Sequence, residues 1–186
     1  PDTIYYMRGW TDGLLDTNRR IAPLTAPTTL TAIYSGYRYE LRICLNTNRW
    51  NIGRIHCGER VTMTPSEAII VRNCGNFNFD LGLQVMVDPG EPWQAGYYNT
   101  MNTFTLRARF EEGECGTFRP AQDLVKMSNI TWASETVFGP GGFNIPPCGW
   151  GDCDQYLYFQ FFAPTQSTTY EPQVIRVKVM ARPRIP

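Results

Sequence analysis

The chain has 186 residues, a length that suits one domain with a single sizeable core. Charged residues make up 18% of it and aromatics 13%, and 16 glycines and 14 prolines are present, which argues against long amphipathic helices and for many strands joined by turns. The formal net charge is zero, so no global field draws the chain to nucleic acid or to an anionic membrane. No run approaches the roughly 18 apolar residues of a membrane span, and "PDTIYYMRGW" has neither the basic nor the apolar region of a secretory leader.

In chain order, 3–8 is a weak strand candidate, and Arg19-Arg20 precedes the first clear one. In 37–45, "YRYELRICL", Tyr37, Tyr39, Leu41, Ile43 and Leu45 share one face and Arg38, Glu40, Arg42 and Cys44 the other, the period-2 pattern of a half-buried strand. A turn cluster follows at 46–48, then a weak strand at 50–56. Thr64-Pro65-Ser66-Glu67 resembles a helix N-terminus for 64–70, and 68–73 is a competing strand. The segments 79–87 ("FDLGLQVMV") and 104–110 ("FTLRARF") repeat the alternation, with Phe79, Leu81, Leu83, Val85 and Val87, and then Phe104, Leu106, Ala108 and Phe110, facing inward. A short helix is a candidate near 121–127 and a weak strand at 132–138. Both faces of 156–162 are apolar or aromatic, as in a strand buried on both sides, while 174–181 directs Ile175, Val177, Val179 and Ala181 inward and Arg176 and Lys178 outward. The expected architecture is all-β: a single domain over 1–186, an eight-stranded jelly roll with long loops and little helix.

Chemistry is sparse. His56 is the only histidine, and its neighbour Cys57 points to the opposite face if both lie on a strand, which disfavours a nucleophile pair. Cys148 and Cys153 enclose "GWGD", but zinc needs two further ligands, so a glycine turn with thiols or one local disulfide is the simpler reading. "FGPGGF" lacks the Lys-Ser/Thr of a phosphate loop and reads as a turn. Aromatic pairs such as Tyr5-Tyr6 and Tyr97-Tyr98 belong to core or interface before they belong to a base-stacking platform. No enzyme activity, metal or cofactor is expected. Six cysteines and the sequon Asn129-Ile130-Thr131 leave the compartment open between disulfide-bonded secretion and free buried thiols. Lysine occurs only at Lys126 and Lys178, and such arginine bias accompanies extensive contacts as well as lineage preference.

Two final strands, a polar loop and almost no tail resemble strands H and I of small viral jelly rolls. More specifically, "GPGGF" at 139–143, the tryptophan-bearing loop at Trp150 and "APTQSTTYEPQVIRVKVMA" at 163–181 resemble the small coat protein of the comovirus and fabavirus group of plant viruses. Upstream, Gly9-Trp10 and "APLTAPTTLTAIYSGYRYELRICLN" at 22–46 are similar to that family's run into a long strand, which would be D, with Tyr34 in place of the usual tryptophan. More distant picorna-like coat proteins share the layout.

The resemblance implies a structural capsid subunit released from a polyprotein, consistent with Pro1 in place of methionine. It would sit in the virion and host cytoplasm with free cysteines, forming pentameric vertices with copies of itself beside a larger two-domain coat protein, touching packaged single-stranded RNA weakly if at all, and binding no membrane. The loop Asn46, Thr47, Asn48 and Arg49 and the H–I loop Thr165, Gln166, Ser167, Thr168 and Thr169 would lie together at the narrow, five-fold end, where uncharged loops meet their own copies without repulsion. Arg19 and Arg20 are candidate RNA-facing residues. The alternative is a secreted β-sandwich that binds glycans or receptors, supported by the sequon and the even cysteine count.

Overall fold

The structure, a computed structural model, describes residues 3–10, 32–38, 40–88, 90–149 and 153–184, the first two ranges as backbone. It divides into two units, 1–40 and 41–186. In the first, β1 (Thr3–Trp10) and β2 (Ala32–Arg38) form an antiparallel ladder from Thr3↔Arg38 to Trp10↔Ala32, irregular between Met7 and Gly9.

The second unit is an all-β sandwich built from β3 (Ile43–Leu45), β4 (Arg60–Thr62), β5 (Ile69–Asn73), β6 (Phe79–Met86), β7 (Gln94–Ala95), β8 (Thr103–Glu111), β9 (Thr131–Trp132), β10 (Asp154–Phe162) and β11 (Arg176–Pro183). One sheet runs β3-β5-β10-β8-β7, with β4 pairing the far half of β10; the other runs β11-β6-β9. After β5 the chain crosses to the second sheet for β6, returns to the first for β7 and β8, and then alternates through β9, β10 and β11; residues 123–125 extend the first sheet along β8 through Ala108 N–H to Asp123 O (2.8 Å) and Val125 N–H to Leu106 O (2.9 Å). The resulting neighbours, β5-β10-β8-(123–125) and β11-β6-β9, are those of jelly-roll strands C-H-E-F and I-D-G.

The alternating patterns at 79–87, 104–110 and 156–162 correspond to β6, β8 and β10. Phe79, Leu81, Leu83 and Val85 of β6, with Phe104, Leu106, Ala108 and Phe110 of β8, face Leu157, Phe159 and Phe161 of β10 in one core. Burial of both faces of β10 also holds: Tyr158 and Gln160 on the outer face are 1% and 8% exposed. They lie under a flap, residues 112–122, pinned by Tyr158 Oη–H to Gly113 O (2.7 Å).

Elsewhere the structure departs from the pattern. The segment 37–45 is not one strand: β2 ends at Arg38 against β1, and β3 resumes at Ile43 against β5. Of its apolar residues in the second unit, Ile43 packs on the core, whereas Leu41 and Leu45 are exposed. Position D, assigned to this segment by resemblance, belongs by sheet order to β6. The helix candidate at 64–70 shrinks to a 3-10 turn, Pro65–Glu67, with a capping box in which Thr64 N–H donates to Glu67 Oε2 (2.8 Å); β5 then takes over because Ile69 and Val71 have a core to face. The helix candidate at 121–127 is the strand-like stretch beside β8, and 50–56 is loop.

"GPGGF" is a 3-10 turn, Pro140–Gly142, packed on the end of β8. Gly139 has φ 78°, and a Cβ on Gly141 would lie 2.9 Å from Glu111 N, so these positions take glycine for conformation and for room respectively.

Candidate functional site: the loop end of the sandwich

Five connectors bear on one question, namely which end of the sandwich carries an unpartnered surface. The D–E connector, 87–102, and the H–I connector, 163–175, interlock. Asn102 N–H donates to Gln166 O (2.8 Å) and Thr165 N–H to Thr100 O (3.1 Å). The Asn102 side chain clasps Thr168, donating from Nδ2 to Oγ1 (2.9 Å) and accepting at Oδ1 from the Thr168 N–H (2.9 Å). Trp93 Nε1–H donates to Ser167 Oγ (2.9 Å), and Ser167 in turn donates to Thr169 O (2.7 Å). The segment 56–59 is strapped to the root of the same loop by Gly58 N–H to Pro164 O (2.8 Å) and Ala163 N–H to Glu59 O (2.9 Å). The F–G connector adjoins through a shallow depression lined by Gly96, Tyr97, Val125 and Met127.

All five H–I residues expected at this end are therefore there, held by the D–E connector. Thr47 and Asn48 line a cleft between the sheets with Phe159, Phe161, Ile175 and Val177, whereas Asn46 is set back from this end. Asn46 N–H donates to Ile70 O (3.2 Å) and Asn46 Oδ1 accepts from Ile70 N–H (2.8 Å), level with Tyr156 on β10. The H–I connector starts beyond Phe162, about 20 Å further along the strand at ~3.3 Å per residue. The hydrogen-bonding companion of the H–I loop is 87–102, because β6, not 37–45, holds position D. Arg19, Arg20, Trp150 and Asp152 lie outside the described residues.

Among the described residues, most of the large exposed apolar side chains fall at this end. Met86, Tyr97, Tyr98 and Met101 lie on the exit of β6 and the D–E connector, Met127 on the F–G connector, and Tyr170 and Val174 on the H–I connector. Tyr98 is 73% exposed, Val174 70% and Tyr170 fully exposed, while Tyr97 and Tyr98 meet edge to face at 4.6 Å. The charges on the D–E and H–I connectors are Asp88, ion-paired with Arg176, and Glu91 and Glu171. The sequence reading placed Tyr97-Tyr98 in core or interface; the signal it lacked was register, which brings the pair to the H–I loop.

His56 and Cys57 sit in an exposed turn closed by Glu59 N–H to His56 O (3.1 Å), with Glu59 Oε2 accepting from the His56 N–H (2.8 Å). Among the described residues no three His, Cys, Asp or Glu side chains converge as metal ligands. Cys148 forms a disulfide with Cys153, the local bridge of the simpler reading, and Cys44 forms one with Cys74; Cys57 and Cys115 are free. Cα separations of 5.0 Å and 5.9 Å suit such bridges, so the six free thiols implied by resemblance reduce to two. Burial pushes the Cys115 thiol up to about 11.

No family model, curated protein or solved structure matches the chain. The functional reading therefore rests on the residues of this end and on the fold that presents them.

Proposed function

We propose that the chain is a structural capsid subunit of a picorna-like icosahedral RNA virus, acting by self-association through the loop end. The observation that carries this reading is the cluster Tyr97, Tyr98, Met101, Tyr170 and Val174, exposed on loops whose own hydrogen-bonding groups are tied to one another. Loops built this way keep their shape without a partner, while their apolar side chains gain about 25 cal/mol per Å² when a partner covers them. Aromatic and methionine enrichment with few charges is the composition of an interface centre. A larger coat protein and packaged RNA are the further partners of this proposal, in the virion and host cytoplasm.

A second reading, a secreted β-sandwich module for glycans or receptors, is favoured by the two disulfides and by exposed Asn129 in its sequon. Two measurements separate the readings. Sedimentation and electron microscopy of the purified chain are expected to show ring-like oligomers or shells that Tyr98→Ser, Met101→Ser and Tyr170→Ser together abolish without lowering the melting temperature. A strictly monomeric protein carrying an N-glycan on Asn129 after expression in a secreting cell would overturn the capsid reading.

A further inference from the structure

The outer face of the first sheet carries a second site, lined by none of the aromatic cluster's residues and not used in the proposed assembly. Across β4, β10 and β8, Thr62, Gln160 and Arg107 stand in register, as do Arg60 and Phe162 next to them. The row is hydrogen bonded through: Gln160 Nε2 donates to Thr62 Oγ1 (3.1 Å) and Arg107 Nη1 donates to Gln160 Oε1 (3.2 Å). The Arg107 guanidinium also lies over the Phe162 ring, 4.6 Å from its centroid. A flap wall from Cys115 to Phe118 completes a groove of about 360 Å³.

The lining of this groove carries two arginines and no carboxylate. Arg72, Arg109, Arg119, Arg176 and Arg182 each direct their guanidinium to a carboxylate. Arg60 and Arg107 form no ion pair among the described residues, and the nearest carboxylates in sequence and register are already engaged, Glu59 by the His56 N–H and Glu111 by Arg109. Arg107 is held from two sides, by Gln160 and by Phe162, yet its Nε is buried with no acceptor. Thr62 Oγ1 accepts from Gln160, which leaves its own hydrogen to donate. The groove thus offers donors of two guanidinium groups and one hydroxyl, on a rigid sheet, with net positive charge.

The geometry points to a binding site for a tetrahedral oxyanion, phosphate either free or as the monoester of a small molecule, with Arg107 as the oriented donor, Arg60 as the second cation and Thr62 as the hydroxyl donor. Arginine's fork matches phosphate oxygens, and donors arriving from two strands on either side of β10 suit a tetrahedral group better than a planar carboxylate. The volume exceeds that of phosphate alone, which leaves space for a small organic substituent beside Phe118.

The test follows the arginine Nε–Hε signals of the full chain by ¹⁵N NMR during titration with inorganic phosphate and, separately, ribose 5-phosphate, at constant ionic strength set by chloride. A saturating shift of the Arg107 signal is expected, with affinity at least about tenfold weaker in Arg60→Gln, an exposed site whose replacement leaves the sheet intact. Arg107→Gln is expected to abolish binding while keeping the native fold in chloride, read as unchanged amide signals away from the groove. Tighter binding of the ester identifies an organic group seated in the groove, and equal binding identifies free phosphate as the ligand; both support the site. A linear, non-saturating shift, or affinities unchanged in Arg60→Gln, would overturn it.

Discussion

Asn102 is the hinge pin of the loop end, and replacing it separates two physical contributions. Its φ is 54°, in the left-handed region, and its side chain makes two hydrogen bonds to Thr168 at 2.9 Å. Asn102→Ala loses both bonds, at about 0.5–1.5 kcal/mol each, and adds a left-handed strain of about 1–2 kcal/mol for a residue with a Cβ and no local side-chain hydrogen bond. Asn102→Gly loses the same bonds without the strain, but at about 0.4–1 kcal/mol of extra unfolded-state entropy. The expected order of stability is therefore wild type, then Gly, then Ala, with losses of about 1.5–4 and 2–5 kcal/mol; at about 2–4 °C per kcal/mol for a chain of this length, both are visible in a thermal melt. Native-state hydrogen exchange adds the local readout, since the Thr168 amide is expected to lose protection in both variants while the Leu83 amide of the core is affected only through global stability. An alanine variant as stable as the glycine variant, or unchanged Thr168 protection, would refute the reasoning.

Three further outcomes follow from the geometry. Gly141→Ala places a Cβ 2.9 Å from the Glu111 backbone nitrogen and against the Gln155 side chain, and is expected to cost about 1–3 kcal/mol in urea denaturation, whereas Gly113→Ala, with nothing within 4 Å, stays within about 0.5 kcal/mol. With its thiol pushed up to about 11, Cys115 is about one part in a thousand thiolate at pH 8, so iodoacetamide labels exposed Cys57 first and half-buried Cys115 far more slowly; equal rates in the native protein would contradict the raised value. The hydrogen bond from Arg72 holds the Asp154 carboxyl below the ordinary aspartate range, so its contribution to stability is present above about pH 4 and lost as pH falls through the depressed value. Asp154→Asn is accordingly expected to lower the urea midpoint modestly at pH 7 and to converge with wild type in acid, and an equal gap at pH 7 and pH 2.5 would refute the assignment.

Strands that face a core on one side announce themselves, which is why β6, β8 and β10 were legible from alternation alone. The second burial of Tyr158 and Gln160 was legible too, because a strand covered twice shows no polar face. What escaped the pattern was pairing. Residues 37–45 alternate continuously, yet the ladder changes partner between Arg38 and Ile43, and periodicity carries no information about which strand lies alongside. The same gap displaced the site: the composition of 87–102, with Trp93, Tyr97, Tyr98 and Met101, was visible, but its meeting with Thr165 to Thr169 depends on sheet order. Short-range signals misled at Thr64 to Glu67, where a genuine capping box starts one turn and the burial of Ile69 and Val71 then draws the chain into a strand.

The two disulfides sit where β10 begins: Cys153 immediately precedes the strand, Cys74 directly follows β5, and Cys148 N–H donates to Asn73 O (3.0 Å). The aromatic loops lie past Phe162, about 26 Å away along the strand at ~3.3 Å per residue. One pole of the sandwich is therefore covalently cross-linked, and the other is held by hydrogen bonds and by packing such as Trp93 on Phe161. Reductant therefore acts on the first pole and leaves the bonds of the second intact, so the two ends of one sandwich answer to different chemical conditions.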